Sequence, residues 1–191
     1  IVRRILGGGC GFCDENQILY SVIGKESGII PADIKEAYMK VLAGVVTALY
    51  DMGADGEIEP CRNAVYSKGM KISGNAQGRL SGAVLINGSL LLDFDFGLMD
   101  RVLKNPTKNL HNVATAREGM ITLKDIGIMD IQLVKKALRN GFETALGITT
   151  HEGMPTENEI NIANQLSEKY QKYDWTYRMD IKRTFRKRSS V

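Results

Sequence analysis

The pattern of hydrophobic and polar positions predicts strands early in the chain and helices late. Segments rich in β-branched and aromatic residues, typical of strands, occupy 17–23, 57–66, 70–73 and 82–94. Helical spacing of apolar residues predicts helices from Pro31 to Gly53, over 98–103, over 131–146 and from Thr156 through Tyr173. The pattern over 111–122 is ambiguous, with strand favoured near its end. This order favours an α+β fold with a mixed, largely antiparallel sheet flanked by helices, rather than a doubly wound parallel sheet.

Length and composition point to one domain. The chain has 191 residues, of which 43% are hydrophobic, enough for a single core, and we place this domain at residues 1–180. No apolar run is long enough to span a membrane, and the first residues lack a signal peptide. Three cysteines argue against a disulfide framework. We therefore expect a cytoplasmic protein. The first four residues resemble the end of a strand, so we also expect a missing N-terminal portion.

The positive charge of the chain is concentrated at its end. The net charge is +3, and five lysines and arginines lie within the last ten residues. The remainder is close to neutral and lacks the basic surface of a nucleic-acid-binding protein. Residues 181–191 are therefore predicted to form a solvated basic tail.

A glycine-rich loop follows the N-terminal segment. Gly7, Gly8 and Gly9 would let the backbone approach a ligand closely, although such loops are also ordinary turns. The loop matches neither a Walker loop nor a dinucleotide-binding fingerprint. Arg3 and Arg4 precede it at a spacing that lets one face a pocket and the other face solvent.

Cys10 and Cys13 formally make a redox or metal-binding pair. No helix is predicted to begin at Cys10, as a thioredoxin-like site requires. The other soft ligands, Cys61, His111 and His151, are scattered without zinc-ligand spacing. The pattern therefore gives little support to either kind of site.

Lys71 is the most informative polar residue. It lies between the apolar Met70 and Ile72 at a strand edge, and the small residues after it leave space around its ammonium group. A lysine in that setting could neutralise a phosphate or stabilise charge on a carboxyl oxygen. Periodicity alone favours the alternative, an outward and solvated lysine.

Two segments together resemble the lipoate-protein ligase A family. Residues 3–9, Arg-Arg-Ile-Leu-Gly-Gly-Gly, resemble its arginine pair and triple glycine, and residues 71–77, Lys-Ile-Ser-Gly-Asn-Ala-Gln, resemble its lysine motif. Further similarities are Asp14 with Tyr20-Ser21, residues 88–93 and residues 175–177. The resemblance therefore covers nearly the whole chain.

The resemblance implies a fold shared with biotin ligases and class II tRNA synthetases. It also implies a ligase that activates lipoic acid with ATP and Mg²⁺ to lipoyl-AMP. The lipoyl group would then pass to a lysine of an acceptor, either the lipoyl domain of a 2-oxoacid dehydrogenase acyltransferase subunit or the H protein of glycine cleavage. No nucleic acid or membrane partner is expected.

The same resemblance assigns roles to individual residues. Lys71 would be catalytic, holding the acyl carbonyl and the adenylate phosphate. The lipoate-binding residues would be Arg4, Gly7, Gly8 and Gly9. The nucleotide-binding residues would be Asn75, Ala76 and Asp14. Metal ligands stay unknown.

Three positions depart from the family pattern. Cys13 and Asn87 stand where the family usually has histidines, and Asn16 lies in a segment that replaces Leu-Gly-Asn. Asn16 is expected to supply the left-handed backbone of the missing glycine. These departures leave the acyl donor, lipoate or octanoate, open.

Two other functions compete with the ligase. Octanoyltransferases of the same superfamily pass an acyl group through a cysteine thioester without ATP, and Cys61 is a competent nucleophile for that reaction. Cys61 lies only ten positions before Lys71, a short spacing for such enzymes, and Arg62-Asn63 resembles the ligases, which favours the ligase. The third possibility is a non-catalytic module that binds lipoyl carriers.

An accessory subunit is also expected. In the resembling family a separate accessory domain commonly follows the catalytic one. The sixteen residues after Trp175 are too few to form a core. The resemblance therefore implies that a small, separately encoded partner supplies it.

Overall fold

The computed structural model describes residues 1–59, 61–108, 110 and 112–177. The chain divides into two compact units, one of residues 6–150 and one that combines residues 1–5 with the described residues from 151 to 177. The predicted basic tail at 181–191 lies outside the described residues. Within the described ranges, every helix is too short or too polar to cross a membrane.

One five-stranded sheet forms the centre of the larger unit. Its strands are β1 (Gln17–Lys25), β2 (Glu57–Glu59), β3 (Ala64–Ser67), β4 (Met70–Leu80) and β5 (Ala83–Leu91). They lie in the order β1-β5-β4-β3-β2, and each neighbouring pair is antiparallel. The predicted α+β class is confirmed. Among the described residues, parallel pairing occurs in isolated bridges, such as that between Lys71 and Met120.

Helices follow and flank the strands. They are α1 (Ile34–Asp51), α2 (Phe96–Val102), α3 (Ala116–Gly119), α4 (Ile131–Leu146), α5 (Glu157–Tyr170) and α6 (Tyr173–Thr176). α4 has the predicted bounds, because the Asp130 side chain caps its first turn and Gly147 ends it in the left-handed conformation. α1 begins later than predicted. Asp33 caps it by accepting from the backbone of Lys35 and Glu36, so Pro31 precedes the helix instead of lying in its first turn.

Among the predicted strands, two differ most from the structure in their bounds. The single strand predicted over 57–66 is divided into β2 and β3 by a turn in which Asn63 has a positive φ of 49°. β4 continues past Ser73 to Leu80, through Gly74 and Gly78. In the ambiguous 111–122 segment, a short helix forms and the expected strand is reduced to the bridge at Met120. His111 lies outside the described residues.

α1 and α4 pack against one face of the sheet at a close crossing. A Cβ added to Gly141 would lie 2.1 Å from the carbonyl oxygen of Gly44, so these two glycines let the helix backbones approach. Val41, Val45 and Val134 from the two helices are fully buried in the core cluster that also contains strand residues. Each such side chain contributes roughly 1.5–3 kcal/mol of hydrophobic stabilisation.

A smaller apolar cluster lies at one end of the opposite face. Leu91 belongs to it, and alternation along β5 places Leu91 opposite Leu90, which is in the main core. The cluster also includes Met99 of α2 and Ala116 of α3. It brings the α3 segment beside the start of β4, where the Lys71 motif lies.

Candidate active site

A β-bulge determines the face of the sheet on which Lys71 lies. Val65 pairs with Ser73 and Tyr66 with Lys71, which leaves Ile72 without an opposing residue. Ile72 is fully buried in the main core. Side chains alternate in a regular strand, so Lys71 and Ser73 would otherwise share a face. The extra residue turns Lys71 to the other side.

We call the side that packs against α1 and α4 the helix face, and the side that carries Lys71 the lysine face. A Cβ added to Gly74 would lie 3.0 Å from Lys71 Nζ, so the amine extends over the space that this glycine leaves. Ala76 follows on the same face. The small residues after Lys71 thus leave room around its amine, as the sequence predicted.

The electrostatic surroundings of Lys71 disfavour its charge. Burial lowers the pKa of this lysine, and the positive charge of Arg62 lowers it further. Its carbonyl accepts from the backbone N–H of Ile121 at 3.0 Å, which fixes the start of β4. A desolvated cation without a carboxylate partner in the described part of the chain gains most from an anion or a developing oxyanion.

The glycine loop lies against the second half of β4. The N–H of Gly7 donates to the carbonyl of Gln77 at 3.4 Å. Leu6 is buried, and its Cδ2 would lie 2.8 Å from a Cβ at Gly78. The structure therefore brings Gly7 to the same strand as Lys71, Asn75 and Ala76. Gly8 has a positive φ of 104°, which explains the need for glycine there.

Cys61 lies in the turn between β2 and β3. The cysteine is exposed, and its N–H donates to the Glu59 side chain at 3.3 Å. The turn is attached to β4, because the Asn63 carbonyl accepts from both the backbone and side-chain N–H groups of Asn75 at 3.1 Å. The turn that carries a nucleophile is thus fixed to the strand that carries the lysine.

A buried polar network on the helix face makes this attachment. The Tyr20 hydroxyl donates to Asn75 Oδ1 and lies 3.1 Å from Ser73 Oγ. Desolvation raises the pKa of Tyr20 far above its ordinary value, so the phenol stays protonated. The sequence interpretation missed this network. Its signal was the pair of polar residues, Ser73 and Asn75, at alternate positions of a buried strand face.

Gly88 provides the space for the network. Tyr20, Gly88 and Asn75 lie in one row across β1, β5 and β4. A Cβ at Gly88 would lie 2.2 Å from Asn75 Oδ1 and from the Tyr20 hydroxyl. Only a residue without a side chain lets the tyrosine and the asparagine meet above it.

Two other predicted site residues are also placed by the structure. Both carboxylate oxygens of Asp14 accept backbone hydrogen bonds, from Asn16 at 3.0 Å and from Asp95 at 2.9 Å. Arg4 belongs to the unit of residues 1–5 and 151–177, in which its neighbour Arg3 donates to the Thr176 carbonyl at 3.0 Å. The roles assigned to Asp14 and Arg4 stay predictions.

The departures from the family pattern have local consequences. Asn16 does not have a positive φ, so the expectation that it adopts a left-handed backbone was wrong. Its carbonyl instead accepts from Leu92 and Asp93. Asn87 neighbours Ala76 in the sheet, and its buried Oδ1 accepts no hydrogen bond from a described residue. Cys13 is exposed and unbridged.

A family model for the lipoyl protein ligase A/B catalytic domain matches residues 1–143. Octanoyltransferase LipM of Kyrpidia tusciae is 30% identical over 93% of this chain and 74% of its own length. Lipoate-protein ligase LplJ of Bacillus subtilis is 28% identical over 93% of this chain and 54% of its own length.

The fold is also similar to a solved structure from Thermoplasma acidophilum, of a bi-partite lipoate protein ligase and its E2 lipoyl domain. The TM-score is 0.81 at 27% identity, over 92% of this chain and 69% of the other. The sequence match extends over most of the chain and this fold similarity agrees with it. The chain therefore belongs to the lipoyl protein ligase A/B catalytic domain family.

Proposed function

We propose that this chain transfers an octanoyl or lipoyl group to a lysine of a lipoyl carrier through a thioester on Cys61. One observation carries the proposal: the exposed Cys61 lies in a turn that Asn75 fastens to the strand of Lys71. The charge of Arg62, the residue after Cys61, lowers the pKa of Lys71, which is consistent with a position of this turn near the lysine.

The reaction has two steps. The Cys61 thiolate attacks the carbonyl of an acyl thioester donor, and the donor thiolate leaves. The lysine amine of the acceptor then attacks the new thioester, the Cys61 thiolate leaves, and the amine proton passes to solvent base. Negative charge develops on the carbonyl oxygen in both steps, and the Lys71 ammonium is suited to stabilise it.

Similarity to octanoyltransferase LipM supports this function over the ATP-dependent ligase that the sequence interpretation favoured. Two arguments stood against the transferase: the short spacing from Cys61 to Lys71 and the resemblance of Arg62-Asn63 to the ligases. The structure weakens the argument from spacing. The turn that carries Cys61 is bonded to β4 through Asn63, so the distance from this turn to Lys71 does not follow the number of residues between them.

An ATP-dependent lipoate ligase is the second candidate, supported by the similarity to LplJ and to the bi-partite ligase. Lys71 would then hold lipoyl-AMP, with Ala76 and Asp14 as the proposed nucleotide contacts, whereas Asn75, also predicted as one, has its side chain bonded on the helix face. The described residues contain no group of three metal-ligating side chains. The Mg²⁺ that accompanies ATP would therefore take most of its ligands from phosphates and water.

The proposed acceptor is a lipoyl domain of an acyltransferase subunit or the glycine-cleavage H protein. A lysine at the tip of a small folded carrier can reach an exposed turn such as that of Cys61. The similarity to a bi-partite ligase supports the additional proposal of a separately encoded accessory subunit for the ligase reaction.

The Cys61→Ser variant separates the two candidates. Wild-type protein is mixed with an octanoyl thioester of a carrier protein and a lipoyl domain, or with lipoate, ATP, Mg²⁺ and the same domain. For the transferase we expect an acyl adduct on Cys61 by mass spectrometry, and loss of the first reaction in Cys61→Ser. A double variant, Cys10→Ser with Cys13→Ser, controls for the other exposed thiols and should keep its activity.

Other results would point elsewhere. Full activity of Cys61→Ser with lipoate and ATP, together with pyrophosphate release, would favour the ligase. Saturable binding of the lipoyl domain without either reaction would favour the non-catalytic module.

A further inference from the structure

We infer that Tyr20 and Asn75 are positioning residues that hold the Cys61–Asn63 turn against the Lys71 strand by a buried hydrogen-bond network. Asn75 was predicted as a nucleotide contact, whereas the oxygen and the nitrogen of its side-chain amide both make hydrogen bonds within the protein. Its oxygen accepts from Tyr20, and its nitrogen donates to the Asn63 carbonyl at 3.1 Å. The kinetic consequence of this inference rests on the proposed acyl transfer.

The hydrogen bonds have a consistent direction. The single proton of the Tyr20 hydroxyl goes to Asn75 Oδ1, so the Ser73 hydroxyl donates its own proton to the tyrosine oxygen. One N–H of Asn75 goes to Asn63, and the amide nitrogen also lies 3.4 Å from Ser73 Oγ. Each polar group in this network has a partner, which makes one arrangement of the strands and the turn favourable.

The network is braced from the helix layer. The ring of Phe142 in α4 packs on Tyr20 with a centroid distance of 5.2 Å. α4 itself is fixed against α1 by the close approach of Gly141 to Gly44. Packing therefore fixes the position of the tyrosine hydroxyl. The hydroxyl orients the Asn75 side chain by a hydrogen bond, and Asn75 in turn holds the surface turn through the Asn63 carbonyl.

The start of the turn is held to Glu59, whose carbonyl accepts from the Arg62 N–H at 3.2 Å. Cys61 is exposed, and its backbone N–H bonds only weakly, at 3.3 Å, to the side chain of Glu59. Asn63 has a positive φ, which costs an ordinary residue conformational energy. Two hydrogen bonds from Asn75 to one carbonyl offset this cost and fix the direction of the turn relative to β4.

The test uses Tyr20→Phe, which removes the hydroxyl and keeps the ring that Phe142 contacts. Ile18→Val is the matched control. It is a buried change two residues away on the same strand face, outside the network. The first measurement is backbone amide hydrogen exchange of the turn and of Asn75, whose N–H bonds to Asn63.

We expect exchange at Asn75 and in the turn to be about 10-fold faster in Tyr20→Phe and unchanged in Ile18→Val. In the transferase assay, kcat should fall about 10- to 100-fold, because a displaced nucleophile is less often aligned, while the KM for the acyl donor changes less than about 2-fold. Adding Asn75→Ala to Tyr20→Phe should cost no more than Asn75→Ala alone, since both act through one network.

Unchanged exchange in Tyr20→Phe would overturn the inference, whatever the activity. Faster exchange with unchanged kcat would also overturn it, because the turn would then have no positioning role in transfer. Equal losses of kcat in Tyr20→Phe and Ile18→Val would show a general effect on stability instead. If wild-type protein transfers no acyl group, the proposed function fails, and hydrogen exchange still decides whether the network holds the turn.

Discussion

The helix face and the lysine face of one sheet differ in how their polar groups are satisfied. On the helix face, Tyr20, Ser73 and Asn75 bond to one another beneath Phe142, inside the main core. On the lysine face, Lys71 lies over Gly74 with its charge disfavoured by burial and by Arg62. The β4 backbone thus separates a bonded polar cluster from a lysine that has no carboxylate partner among the described residues.

The difference shows how one strand can serve both stability and chemistry. In the network of Tyr20, Ser73 and Asn75 the polar groups bond to one another and to Asn63, so the network can hold the neighbouring turn rigidly. The other face keeps a desolvated ammonium that gains stabilisation when a negative charge arrives. The hydrogen-bond network on the helix face supports β4 rigidly, and this support keeps the Lys71 ammonium on the other face in a fixed position for a ligand.

The largest effect is expected for Lys71→Ala. Removing the ammonium should lower the rate of acyl transfer about 100- to 1000-fold, the usual effect of losing one group that stabilises an oxyanion. Circular dichroism should be unchanged, since the shorter side chain leaves the strand pairing intact. The matched control is Lys25→Ala, an exposed lysine at the end of β1 on the same face. Wild-type turnover by Lys71→Ala would remove Lys71 from the mechanism.

Gly88→Ala tests the helix face. The new Cβ would lie 2.2 Å from Tyr20 and Asn75, so the network has to separate and the free energy of unfolding should fall by about 3 kcal/mol. In Gly9→Ala the new Cβ has no neighbour within 4 Å, and the change should stay within about 0.5 kcal/mol. Urea denaturation measures both. Equal stability of the two variants would contradict the close packing at Gly88.

The smallest expected effect is a gain of stability. Lys71→Met keeps a similar volume without the charge, and it should raise the free energy of unfolding by about 1 kcal/mol near pH 7, while transfer falls as it does in Lys71→Ala. Because the pKa of Lys71 is lowered in the folded state, the unfolded chain binds the proton more tightly. Wild-type stability therefore increases as pH rises from that lowered value toward the ordinary lysine value.

The gain from Lys71→Met should consequently shrink at alkaline pH. Chemical denaturation at pH 7 and near pH 10 measures this change. A gain that is constant with pH would mean that packing, and not the buried charge, accounts for the difference between lysine and methionine.

The sequence predicted best those elements whose ends are set by nearby residues. The bounds of α4 followed from a capping aspartate, an apolar period and Gly147. The α+β class followed from the order of strands and helices. The division of 57–66 into β2 and β3 was missed, although Pro60 and Asn63 are residues that favour turns and Asn63 adopts the left-handed conformation that asparagine tolerates. The β-branched and aromatic residues on both sides of the turn outweighed these two signals.

The candidate site was predictable only in part. The lysine motif pointed to Lys71, and the glycine run pointed to a loop that the structure places against Gln77. The role of Tyr20 depends on pairing with residues more than fifty positions away, and periodicity carries no information on which strands become neighbours. The bulge at Ile72 was missed for the same reason, since it exists only relative to Tyr66 and Val65.

The bulge also constrains how the gene for this strand can change. Ile72 and Ser73 both point to the helix face, so loss of the codon for Ile72 would bring Lys71 directly before Ser73 and leave the lysine on its own face. That deletion would cost a fully buried core side chain. Loss of one codon elsewhere in β4 would shift part of the strand by one residue and exchange its two faces. The gene can therefore lose a codon at the bulge with less damage to the orientation of the lysine than at other positions of β4.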